Sequence, residues 1–180
     1  MITRMKEEVI RGLDNIREEL VTVSDRIHQQ PELGFQEFFA METLTEALGR
    51  GGFRVEKGVA GLETAFYAEF PGKGTGPKIA FLAEYDALPE LGHGCGHNII
   101  GSAAIGAALA VSWLLDRLDG TVAVIGCPAE ETGGGKLVLI EQGYFRDVAA
   151  AMMVHPADRY AVDVTSLALD AWEFNFTGKA

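Results

Sequence analysis

Three short clusters hold the residues of this sequence best suited to chemistry: Gly94-Cys95-Gly96-His97-Asn98, Pro128-Ala129-Glu130-Glu131 and Val154-His155-Pro156. A thiol, two imidazoles and a carboxylate make a metal-ligand set, and a spare carboxylate beside it points to a metal-dependent hydrolase. In extended chain Cys95 and His97 point to the same side. Gly94 and Gly96 leave room for backbone and ion to approach. Asn98 reads as the N-cap of a following helix. Cys95 then precedes a positive helix end, which favours the metal-binding thiolate. Glu130 and Glu131 are neighbours and diverge, so one can ligate while the other faces a substrate. Asp86, after Glu84 and Tyr85, either orients a ligand from behind or caps the turn at Leu88-Pro89. Cys127 reads as core, His28 has no evident partner, and His93 is a weaker ligand or substrate-contact candidate.

These clusters need elements to carry them. Val9, Leu13, Ile16, Leu20, Val23 and Ile27 form one apolar stripe of a first helix, which Pro31 ends. A second helix is expected over about 36–48, with Phe38, Met41, Leu44 and Leu48 inward and glycines after it. The period then changes. Residues 53–56 and 64–70 read as strands, and 79–83, 121–127 and 149–154 read as strands buried on both faces. A long helix from Asn98 and a short one over 136–142 alternate with them. Residues 160–177 look like one or two further strands. Alternation of this kind predicts an α/β fold: a three-layer sandwich with helices on both faces of a mixed, mostly parallel sheet. Asp86, the Glu130-Glu131 pair and His155 each follow a buried strand, where α/β sheets place their sites.

The chain has 180 residues and a net charge of −11, which excludes a nucleic-acid or anionic-membrane surface built on clustered Lys and Arg. Ile99–Leu115 is apolar but rich in Gly, Ala and Ser, and reads as a buried helix rather than a membrane span. Two cysteines and an N-terminus without an apolar leader predict a cytoplasmic protein. No glycine-rich run has the spacing of a phosphate loop.

Five stretches, in order, resemble one family: residues 28–37 (HQQPELGFQE), 83–89 (AEYDALP), 92–98 (GHGCGHN), 128–136 (PAEETGGGK) and 152–156 (MMVHP). The chain is similar to the aminoacylase and metallo-carboxypeptidase family of two-metal peptidases, peptidase family M20, and within it to the amidohydrolase branch. The Cys-Gly-His-Asn form and the Gly-Gly-Gly-Lys run most resemble the subgroup of p-aminobenzoyl-glutamate hydrolases and related dipeptidases. The resemblance implies a zinc-peptidase-like catalytic domain, incomplete here, over residues 1–171, with a lid or dimerisation domain starting at 172–180. It implies Cys95, His97, Glu131 and His155 as ligands of two divalent ions, Zn or Mn with Co a third choice, Cys95 bridging them. It implies Glu130 as general base on metal-bound water, and Asp86 stands beside it as the second candidate catalytic residue. Substrates would be N-acyl amino acids, aminobenzoyl-glutamate-like conjugates or small dipeptides. The full-length protein would be a homodimer. Chains of this family are much longer and hold a further ligand histidine, so this sequence is expected to be a fragment or a truncated reading frame.

Two rivals stay open on the residues alone. One is a cysteine hydrolase with Cys95 as nucleophile. The other is a non-catalytic fragment that binds metal or a partner chain.

Overall fold

The apolar stripe of the first helix decides how the first layer packs. In the computed structural model, which describes residues 2–162, 172 and 174–179, helix α1 spans Ile2–Gln29 and buries Val23 and Ile27 at its C-terminal end. Helix α2 (Phe38–Arg50) follows, with Met41, Leu44 and Leu48 buried as expected. Phe38 departs from expectation and is exposed. The Glu32 carboxylate accepts the backbone N–H groups of Phe39 and Ala40, fixing the first turn so that Phe38 faces out. Phe39 lies instead under the Arg26 guanidinium, 5.3 Å from its ring centre.

Five strands come next: β1 (Arg54–Lys57), β2 (Phe66–Pro71), β3 (Lys78–Ala83), β4 (Thr121–Gly126) and β5 (Val148–Met152). They form one sheet in the order β1-β2-β4-β3-β5. β3 pairs in parallel with both β4 and β5, whereas β2 is antiparallel to β1 and β4. Four strands thus run one way and β2 alone runs against them. Helix α3 (His97–Ser112) crosses between β3 and β4, and the short α4 (Gly135–Glu141) between β4 and β5.

The period-2 pattern of the strands divides the core. Val122 and Val124 of β4 face α1, α2 and α3, together with Phe66, Ala83, Leu44 and Ile105. Ala123 and Ile125 face the other way, toward Leu139 of α4 and the 3-10 turn Val59–Gly61. Helices on both faces make the three layers the alternation predicts. The apolar stretch from Ile99 is α3, buried against α1 and the sheet. No helix among the described residues is long and apolar enough to cross a membrane. The small residues of α3 allow close approach: a Cβ at Gly106 would meet Leu20 at 2.7 Å, and one at Gly101 would meet the Glu84 carbonyl at 3.1 Å.

Two expectations change. The doubly covered strand over 149–154 is instead the sheet edge. Among the described residues β5 pairs with β3 alone, and Ala149–Met152 are exposed. An apolar run signals burial only where neighbours cover it, and here Val148 alone of β5 packs into a core cluster. The further strands over 160–177 do not appear at 160–162, 172 or 174–177, while 163–171 and 173 lie outside the described residues. The domain division at 171–172 touches the same stretch.

α3 is the keystone between the layers, so truncation inside it should be costly. Ile105→Ala, at a fully buried position, is expected to lower the unfolding free energy by about 2–5 kcal/mol in urea denaturation. A loss below about 1 kcal/mol would contradict this packing.

Candidate metal centre

The parallel register brings three chain segments off the sheet at one rim. Ala83 is level with Gly126, and Phe81 with Met152. Glu84-Tyr85-Asp86, Pro128-Ala129-Glu130-Glu131 and Met153-Val154-His155 therefore leave side by side. The Cys95–His97 turn closes over them. Gly96 has φ of 76°, the left-handed region that suits glycine, and a Cβ there would meet Pro156 at 2.8 Å. Helix α3 consequently starts at His97, with Gly96 as its N-cap. Asn98 is not the cap: its side chain donates to Ser24 Oγ at 2.9 Å and ties α3 to α1.

His97 is the hub, and it is buried. Its Nδ1–H donates to Asp86 Oδ1 at 2.8 Å. The other Asp86 oxygen accepts the Glu131 backbone N–H at 3.0 Å. Burial pushes the Asp86 carboxyl upward, but the hydrogen bonds from His97 and the Glu131 amide outweigh it and hold it below its ordinary value. Both Asp86 oxygens are engaged, and the geometry fits a partner that orients the His97 ring and the Glu131 backbone. Burial lowers the His97 pKa, but the Asp86 hydrogen bond and the charges of Asp86, Glu84 and Glu131 raise it above its ordinary value; in the neutral ring with Nδ1 protonated, Nε2 carries the lone pair. It lies 3.5 Å from Glu84 Oε2, 3.7 Å from Glu131 Oε1 and 3.9 Å from Glu130 Oε2. His155 is set up in the same tautomer: its Nδ1–H donates to the Pro156 carbonyl at 2.8 Å. Its ring stands edge-on to His97, centres 6.0 Å apart.

Two ligand groups result, sharing His97. One is Glu84, His97 and His155; the other is His97, Glu130 and Glu131. In each, the ligand atoms lie within 4.8 Å of one another. Glu130 is the more open of the two glutamates, 39% exposed against 21%, while its Oε2 approaches His97 Nε2 almost as closely as Glu131 Oε1 does. Within this cluster Glu84 Oε2 and His97 Nε2 are buried without a hydrogen-bond partner. Buried polar atoms are rarely left so, and a divalent cation bound to N and O donors would satisfy both.

Cys95 stands at the border, outside both groups but in hydrogen-bond contact with the Glu131 carboxylate. That contact, with burial and the nearby Glu130 and Asp86 charges, pushes its thiol up to about 11. The helix end therefore does not produce a thiolate by itself, as the sequence predicts; the neighbouring carboxylates outweigh the partial positive charge of the helix. A cation among those carboxylates reverses the balance. Cys127 is core, with its thiol pushed up to about 12 by burial. His93 is buried, its ring centre 6.2 Å from that of His28, and it belongs to neither group.

Three contributors carried little signal in the sequence. Glu84 directly follows β3 and turns inward. Lys136, in the first turn of α4, forms an ion pair with it. Glu37 is fully buried, 92 residues from the turn it supports. Its Oε1 accepts the Ala129 N–H at 2.7 Å and its Oε2 the Thr64 hydroxyl at 2.8 Å. Burial raises its carboxyl above the ordinary value, against the pull of these hydrogen bonds. The bond holds Ala129 at φ of 53°, a strained angle for a residue with a Cβ, and so aims Glu130 and Glu131. Only a contact across the fold gives Glu37 this work; its place in the 28–37 stretch was the available hint.

Glu37→Ala should leave the Ala129 amide unpaired and cost about 1–3 kcal/mol of stability. It should also weaken cation binding by the folded protein. Glu37→Gln, which keeps one acceptor, is expected to fall between. Calorimetric titration with Zn²⁺ beside thermal melts tests this, and unchanged cation affinity in the folded Ala variant would refute the positioning role.

The sequence profile of peptidase family M20/M25/M40 matches residues 80–167, which span β3 to the segment beyond His155. The chain is 40% identical over 173 residues to a p-aminobenzoyl-glutamate hydrolase protein of Escherichia coli, covering 83% of this chain and 36% of that protein. It is 37% identical to the Xaa-Arg dipeptidase of Mus musculus, covering 98% of this chain and 44% of that protein. The crystal structure of a Bacillus subtilis dinuclear metal-binding peptidase of the M20 family superposes with a TM-score of 0.71 at 29% identity, covering 77% of this chain and 42% of the other. The chain thus spans less than half the length of these relatives. Motifs, fold and rim geometry agree, and the chain carries a domain of peptidase family M20.

Proposed function

We propose that this chain forms the catalytic face of a metal-dependent hydrolase that cleaves the amide bond of an N-acyl amino acid, an aminobenzoyl-glutamate-like conjugate or a small dipeptide. The observation that carries this reading is the pair of buried, unpartnered ligand atoms, Glu84 Oε2 and His97 Nε2, inside a ring of carboxylates and histidines at the rim. The names of the relatives support the substrate classes: one acts on p-aminobenzoyl-glutamate and another on Xaa-Arg dipeptides.

In this reading His97, Glu131 and His155, with Cys95 at their border, would hold two divalent ions. Their mixture of N, O and S donors suits Zn²⁺, with Mn²⁺ or Co²⁺ as alternatives. Such ions, when bound, polarise the scissile carbonyl and acidify water. Asp86 fixes the His97 ring and the Glu131 backbone from behind. Glu130, the more exposed glutamate, takes a proton from the attacking water as the water oxygen bonds to the carbonyl carbon. When the C–N bond breaks, Glu130 delivers that proton to the leaving nitrogen and returns to its starting state. A proton shuttle of this kind contributes typically ~10²–10⁴-fold. The free thiols of Cys95 and Cys127 suit a cytoplasmic enzyme, and family likeness suggests a homodimer for the full-length protein.

The rival thiol mechanism is opposed by the carboxylates that hold Cys95 protonated. The non-catalytic rival draws on the chain's short span relative to its relatives. One experiment separates all three. The Zn²⁺-loaded and Mn²⁺-loaded chain is assayed on p-aminobenzoyl-glutamate, acetyl-amino acids and dipeptides, beside Glu130→Gln and a chelator-treated sample. The expected result is hydrolysis lost on chelation and reduced at least ~10²-fold in Glu130→Gln, with metal content unchanged. Turnover that survives chelation points to the thiol, and bound metal without turnover points to the binding fragment. Either result overturns the proposal for this chain.

A further inference from the structure

Glu84 and Lys136 belong to the rim, yet the mechanism above uses neither. Glu84 is 1% exposed and its two oxygens are treated differently. Oε1 is ion-paired with Lys136 Nζ. Oε2 is buried without a hydrogen-bond partner and points to the same place as His97 Nε2, 3.5 Å away. The His155 ring completes that triangle. Lys136 reaches in from the first turn of α4, its side chain 28% exposed. Glycines permit this approach. Gly134 has φ of 62°, and Gly135 lies so close to Pro128 that a Cβ would meet the Pro128 carbonyl at 2.2 Å. α4 is thereby held against the turn that bears Glu130.

Among the described residues, Lys136 is the one lysine or arginine ion-paired with the rim carboxylates Glu84, Asp86, Glu130 and Glu131. A buried carboxylate group needs a positive charge. Lys136 supplies one inside the chain, and a divalent ion supplies the same thing from outside.

We propose that Glu84 is an additional cation ligand and that Lys136 is its built-in competitor, so that a divalent ion binds the Glu84-His97-His155 face against the lysine ammonium. This rests on the metal-site reading above. Lys136 then has two opposed effects: it steadies the cation-free rim and weakens cation binding there. A lysine that only braces α4 would have the first effect without the second.

The test is calorimetric titration of the full 180-residue chain with Zn²⁺ alone, beside thermal melts of the cation-free forms. Lys136→Met, which keeps length and loses charge, should bind Zn²⁺ about tenfold more tightly while melting at a lower temperature without it. Lys136→Arg, which keeps the charge, should bind like the wild type. Glu84→Gln should bind about tenfold more weakly, and Lys136→Met should add no tightening in that background. Equal or weaker binding by Lys136→Met, with the wild type binding normally, overturns the competitor role; Lys136→Gln repeats the comparison if the Met variant is unfolded. Tightening that persists with Glu84→Gln overturns Glu84 as the ligand. Absence of Zn²⁺ binding in wild type and Lys136→Met alike overturns the metal-site reading itself.

Discussion

The parallel pairing of β3 between β4 and β5 is the constraint from which the rest follows. Because these strands share direction and register, their carboxyl ends open at one level. Three segments far apart in the chain can then place carboxylates and imidazoles within a few ångströms. Like charges so close repel, and the fold meets that cost with specific partners. Asp86 takes the His97 N–H and a backbone amide, Lys136 takes Glu84, and Glu37 works from behind on the Ala129 amide. The cluster keeps two buried atoms without partners, an arrangement that makes physical sense around a cation.

Glycine acts at two decisive points. Gly96 turns the chain in the left-handed region and brings Cys95 and His97 onto the rim, in contact with Pro156 of the His155 segment. Gly135 lets α4 press on Pro128 and carries Lys136 inward. Both are places where a Cβ would collide, so their absence of side chain serves distance rather than flexibility.

Much of this was legible in the sequence, for reasons that can be named. Period-3.6 stripes gave α1 and α2, and short apolar runs gave β3 and β4, because burial on a regular element leaves a regular pattern. The placement of Asp86, Glu130 and His155 after strands gave the rim. What escaped was what depends on orientation or on contacts across the fold. Phe38 lies on an apolar helix but turns outward, since Glu32 fixes the first turn. Asn98 has the chemistry of a cap and spends it on Ser24. Cys95 precedes a helix end, yet its thiol is governed by carboxylates from other strands. Glu37 and Glu84 read as ordinary acids until the fold buries them.

The edge position of β5 carries a consequence of its own. Its inner side is zipped to β3, while among the described residues no strand lies along its outer side. An open, uncharged ribbon of Val-Ala-Ala-Ala-Met offers amides and carbonyls to any extended chain that drifts alongside. An unpaired edge of this kind is a template for strand addition, and the charges of Arg146 and Asp147 stand just before it.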